Sequence, residues 1–112
     1  MATRRETVDF VVEQMAGAGH VSARAMFGEY GVYCDGRVVA LICGDQLFVK
    51  PTAAGRAFIG TPEEAPPYRG AKPSFLISAD GLEDGEWLAE LIRLTTAELP
   101  LPKPKKAKAQ KA

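Results

Sequence analysis

The chain has 112 residues, of which 46% are hydrophobic and 25% charged, room for one domain with one modest core and too little for two. No apolar run approaches the ~20 residues of a membrane helix, and the charged opening MATRRETVDF lacks the apolar region of a secretory signal, so cytoplasmic residence is expected. The zero net charge hides a division: from Pro100 onward there are five lysines and no acid, leaving nine basic and fourteen acidic residues in 1–99. A face built for nucleic acid is rich in Lys and Arg, and this acidic body is not.

In chain order, Thr3 and Glu6 have the spacing of a capping box. Val8, Val11, Val12 and Met15 follow at helical spacing, and Gly17 and Gly19 stop the pattern. This predicts a helix over 4–17. Glu6, Asp9 and Glu13 on its outer side argue against a cationic membrane-surface helix.

Val21 to Phe27 reads as a first strand. Asp35-Gly36 between GVYC and RVVALIC is the signal of a two-residue type I′ hairpin, and Gly44-Asp45 before QLFVK is a second tight turn. A meander of strands at 30–34, 37–43 and 46–50 follows, its middle strand apolar on both faces.

Thr52 is expected to cap a short helix, TAAGRAF. Residues 60–73 read as loop, and SFLIS at 74–78 as a strand beginning after Pro73. Asp84 caps a helix running from Glu83 to Leu99, with Trp87, Leu88, Leu91, Ile92 and Leu99 as its inner stripe. LPKPKKAKAQKA lacks core-forming residues beyond Leu101 and is expected to be a disordered tail over 100–112, following a domain of 1–99. The fold class is α+β: an antiparallel β-meander sheet with N- and C-terminal helices packed on it.

The hairpin register decides the fate of the two cysteines. Cys34 opposes Arg37, and Cys43 lies further along the same strand, roughly 20 Å away at ~3.3 Å per residue. A disulfide needs Cα atoms within about 7 Å, so both thiols are expected free and neither a disulfide nor a shared metal is available. His20 has no nucleophile patterned beside it, and capping or surface duty suits it better. Ser22, Ser74 and Ser78 lack a nucleophile-elbow context. Glu63-Glu64 and Glu83-Asp84 read as solvated or capping charges. With no acid, base and nucleophile constellation, the chain is expected to be no enzyme and to need no cofactor.

Gly28-Glu29-Tyr30-Gly31 is formally a GxxG. Such loops hold nucleic acid by close backbone approach with basic residues nearby, whereas here the motif leads into a hairpin and Glu29 would repel phosphate. A Walker loop fails for want of a following Gly-Lys-Ser/Thr. The glycines are instead expected to allow a bend or bulge.

An unbroken hairpin register places Tyr30, Val32, Val39, Leu41 and Phe48 on one face of the sheet. Tyr33, Val38, Ala40, Ile42, Leu47 and Val49 then share the other. Two apolar faces need two covers, supplied by helices on both sides or by a second copy of the chain as a homodimer. The lysine tail, Lys103, Lys105, Lys106, Lys108 and Lys111, reads as a solubilising end. Its sharper reading is a weak, nonspecific electrostatic arm for nucleic acid.

The linked segments MFGEYG (26–31), VYCDGRVVALIC (32–43), QLFVK (46–50), PYRGAKPSF (67–75) and LEDGEWLAELIRLTTAEL (82–99) resemble the TfoX/Sxy N-terminal domain family across about residues 5–99. Glu29 stands where that family usually has glycine. The resemblance implies an α+β domain and kinship with regulators of natural competence, in which this domain precedes a helical one and works with a cyclic-AMP-responsive transcription factor. It brings no catalytic residues. The chain is expected to be a stand-alone N-terminal domain, a regulatory or protein-interaction module whose partner is a protein such as a transcription factor. Glu29, Tyr30, Lys50, Tyr68, Arg69 and Lys72 are its candidate surface. The alternative expectations are a nucleic-acid accessory using the tail with Arg69 and Lys72, and a small-molecule binder.

Overall fold

A six-stranded antiparallel sheet organises the computed structural model, described over residues 3–26 and 29–99. The strands are β1 (Val21–Met26), β2 (Glu29–Cys34), β3 (Arg37–Cys43), β4 (Gln46–Val49), β5 (Glu63–Ala65) and β6 (Ser74–Leu76), in the order β1-β2-β3-β4-β6-β5. The helices are α1 (Arg5–Met15), α2 (Ala53–Ile59), α3 (Ala79–Glu83) and α4 (Gly85–Glu98), with a 3-10 turn at Ala16–Ala18 after α1. This is the expected α+β class. The tail beyond Leu99, its five lysines included, lies outside the described residues, as do Phe27 and Gly28 of the MFGEYG segment.

The meander forms where its turns place it. Asp35 and Gly36 both take positive φ, 52° and 84°, and so do Gly44 and Asp45 at 58° and 65°, the left-handed pair that matches strand twist in a tight hairpin. Cys34 opposes Arg37, and both cysteines are free and buried.

Beyond that hairpin the expected register breaks. Tyr33 pairs with Val38 but Val32 pairs with Ala40, so Val39 is an extra residue in β3. A bulge of one residue moves every later side chain of the strand to the other face relative to its neighbour. Tyr30 and Val32 therefore share a face with Ala40, Ile42, Leu47 and Val49, correcting the unbroken assignment. Val39 and Ala40 both enter the core as a result.

That core lies between the sheet and the helices. Val8, Val11 and Met15 of α1 and Leu88, Leu91 and Ile92 of α4 meet Val32, Ala40, Ile42, Leu47, Val49 and Phe75 of the sheet, almost all of them fully buried. Phe58 stacks on Trp87 with ring centroids 5.7 Å apart, tying α2 to α4. The helices thus cover one side of the sheet. The opposite side carries Tyr33, Val38, Leu41, Cys43, Phe48 and Leu76.

Three local expectations change. The capping box does not form: Arg4 is the N-cap of α1 and no side chain of its own segment caps it. The Thr3 hydroxyl instead donates to the Glu29 carboxylate, with the Ile42 carbonyl 3.3 Å away as a second, more distant acceptor. Residues 60–73 are not all loop, since Glu63–Ala65 pairs with β6; three residues between prolines give no periodic signal to read. A short helix that the sequence reading did not assign, α3, precedes the last one and is capped by the Ser78 side chain, while Asp84 caps α4 as expected, accepting from the Trp87 N–H. Thr52 caps α2 as expected, accepting from the Gly55 N–H at 3.0 Å.

Candidate interaction surface

Strand β3 alternates, so Leu41 and Cys43 stand on the side away from the helices, opposite Phe48 and Gln46 of β4. Met26, at the end of β1, lies across Gly31 with its methyl 2.8 Å from where a Cβ on that glycine would sit. Gly31 is thus a space for Met26, and the strand bend falls at Val39 instead. The loop after β5 brings Pro67 and Tyr68 over the same face. Met26, Glu29, Tyr30, Leu41, Cys43, Pro67 and Tyr68 line a groove of about 570 Å³. Its wall is mainly apolar, and Tyr68 is 61% exposed beside it.

Glu29 is held rather than free. Its carboxylate accepts from the Thr3 hydroxyl and from the Gly44 N–H at 3.3 Å, so it joins the chain start, β2 and the β3–β4 turn. The Cys43 thiol at the groove is pushed above its ordinary pKa, first by burial and then by the Glu29 charge. It is a protonated, poorly nucleophilic thiol at neutral pH.

Asp45 completes this corner. It accepts from the Arg4 N–H at 2.8 Å and from the Thr7 hydroxyl at 2.9 Å, and pairs with the Arg4 guanidinium. Those contacts, the Arg4 N–H foremost, hold its carboxyl below the usual range. At the start of α2 the Glu98 carboxylate accepts from the Ala53 and Ala54 N–H groups at 3.1 and 2.9 Å. It caps α2 from the end of α4, and its pKa is lowered, chiefly by the Ala54 and then the Ala53 N–H.

Of the surface residues named from sequence, the structure gathers Glu29, Tyr30 and Tyr68 at one groove. Lys50, Arg69 and Lys72 are exposed and do not line it. His20 is exposed and its backbone N–H donates to Asp35 at 2.9 Å. Met26, Leu41, Cys43 and Pro67 were missing from the sequence-based surface. The available signal was the second apolar face of β3, which becomes a groove only where the loop crosses it. Among the described residues no three His, Cys, Asp or Glu side chains gather as metal ligands, and no helix is long and apolar enough to cross a membrane.

Comparison with known proteins places this architecture. The chain is 42% identical over 110 residues to the "Uncharacterized 12.7 kDa protein in trpE 5'region" of Spirochaeta aurantia, covering 98% of this chain and 95% of that protein. Residues 13–99, from the last turn of α1 to just past the end of α4, match the TfoX N-terminal domain. On that match, which spans nearly the whole described fold, the chain belongs to the TfoX N-terminal domain family.

Proposed function

We propose that this chain is a non-enzymatic protein-interaction module of the TfoX N-terminal type, acting in transcriptional regulation linked to competence, with a transcription factor as its partner. One observation carries the reading: the apolar groove under Tyr68, on the sheet face away from the helices. Anchoring aromatics beside apolar pockets are the commonest energetic centres of protein interfaces. Leu41, Met26 and Pro67 offer the pocket, and Tyr68 offers an amphipathic ring already largely in solvent.

Affinity capture from native extract, with and without nuclease, tests the proposal. The expected result is a transcription factor recovered in both cases and lost with Tyr68→Ala, whose side chain is exposed enough to leave stability within about 0.5 kcal/mol. Recovery that disappears with nuclease transfers the function to nucleic-acid association through the lysine tail. A tightly co-purified metabolite with no protein transfers it to small-molecule binding.

A further inference from the structure

The two edges of the sheet are built differently. Strand β5 is three residues long, two of them glutamates, and is bracketed by Pro62, Pro66 and Pro67. Short length, charge and proline are the devices that keep an edge from pairing with another chain. Strand β1, the other edge, has six residues, VSARAM, with neither proline nor acid. Its one charge does not guard it: the Arg24 guanidinium lies 5.4 Å from the centre of the Tyr33 ring, folded back over its own sheet.

The register shows which groups β1 leaves outward. The Asp35 N–H donates to the His20 carbonyl at 2.9 Å, making that pair a hydrogen-bonded one. Alternation then makes Ser22/Tyr33, Arg24/Gly31 and Met26/Glu29 the bonded pairs along β1–β2. The N–H and C=O of Val21, Ala23 and Ala25 therefore point away from β2, and among the described residues no strand lies beside them. Beside this edge, Val8, Val12, Ala23, Ala25 and Tyr30 form a groove of about 400 Å³ between α1 and β1.

Arg5, Asp9 and Glu13 line the same groove as a stripe along α1, all exposed. At 1.5 Å per residue Arg5 and Glu13 stand about 6 Å on either side of Asp9. This order is self-complementary. A twofold axis beside Asp9 brings Arg5 of each copy to Glu13 of the other, while each Asp9 keeps its own Arg5 at 3.0 Å.

We propose that β1 is the seam of a homodimer, two copies pairing antiparallel about Ala23 so that their sheets run on as one. In that register Val21 meets Ala25 of the second copy, and every outward N–H and C=O of the three residues finds a partner. Arg24 falls opposite Ser22 of the second copy, so no like charges meet within the strands. The small Ala23 and Ala25 let the two α1 helices approach over the seam. The seam uses the outer edge of β1 and the groove under Tyr68 the sheet face away from the helices. Tyr30 borders both, but Tyr68 takes no part in the seam, and the dimer stands or falls independently of the partner proposed there.

Analytical ultracentrifugation of the intact chain tests the seam. The expected mass is twice 12.0 kDa at about 100 µM, ample for an interface of micromolar affinity. Ala23→Pro removes an outward N–H and no bond to β2, so it should give a monomer with an unchanged circular dichroism spectrum. Arg5→Glu should weaken the dimer about tenfold or more by setting like charges at both symmetric contacts, and adding Glu13→Arg should restore it. A monomeric wild type at that concentration overturns the proposal. So does a dimer that survives Ala23→Pro and ignores both charge variants.

Discussion

Thr3 and Glu6 have capping-box spacing, yet Thr3 is buried and its hydroxyl is taken by Glu29, the Ile42 carbonyl and the Asp45 N–H. A long-range acceptor in a buried setting outcompetes a local cap that solvent can replace. Thr3→Val should therefore cost about 1–3 kcal/mol in urea unfolding, because Glu29 loses its hydroxyl partner. Glu6→Ala, at an exposed position, should stay within about 0.5 kcal/mol. Equal effects of the two would restore the capping box. Glu29, which looked from sequence like a surface residue available to a ligand, is this strut.

Helix α2 shows how an element can depend on a contact its own sequence conceals. Gly55 is buried in it, and a Cβ there would sit 2.8 Å from the Thr52 hydroxyl oxygen and 3.3 Å from a Leu91 methyl. Alanine ordinarily favours a helix over glycine by about 1 kcal/mol. Here that gain meets the capping hydroxyl and the side of α4, neither free to retreat. Gly55→Ala should thus lower the unfolding free energy by about 1–2 kcal/mol, measured by urea titration, and a stabilising result would refute the close approach. The strands divide similarly. Both hairpin turns were legible because Asp-Gly and Gly-Asp pairs tolerate positive φ at both positions. The bulge at Val39 was not, since RVVALIC is apolar throughout and alternation cannot mark where a register slips. Core packing rewards the slip, for it buries Val39 and Ala40 together.

Across the whole molecule, two carboxylates join distant parts of the chain, Asp45 at the start of α1 and Glu98 at the start of α2. Both have folded pKa values below their ordinary ones. The folded state then binds protons less readily than the unfolded chain, so their stabilisation is full above the ordinary carboxylate pKa and is lost as pH falls through the lowered folded values. Thermal melts from pH 6 down to pH 3 should show a steeper fall in Tm for the wild type than for Asp45→Asn or Glu98→Gln. Parallel curves would remove these two groups as the source. The same scale separates the two faces of the sheet. One is closed by helices, and the other keeps the groove that the Tyr68 loop crosses.

From sequence alone came the α+β class, the meander with its two tight turns, the Thr52 and Asp84 caps, the free cysteines and the family. Each rests on residues close together in the chain, or on a linked order of such segments: turn dihedrals, cap geometry and the spacing of apolar stripes. Tertiary structure decided the rest. It set the bulge that moves Tyr30 and Val32 to the core side, the side all the helices choose, the pairing of the buried Thr3 with the half-buried Glu29, and the meeting of Met26, Leu41 and Tyr68 at one groove. These depend on which distant surfaces pack best together, and local propensity carries no record of that choice.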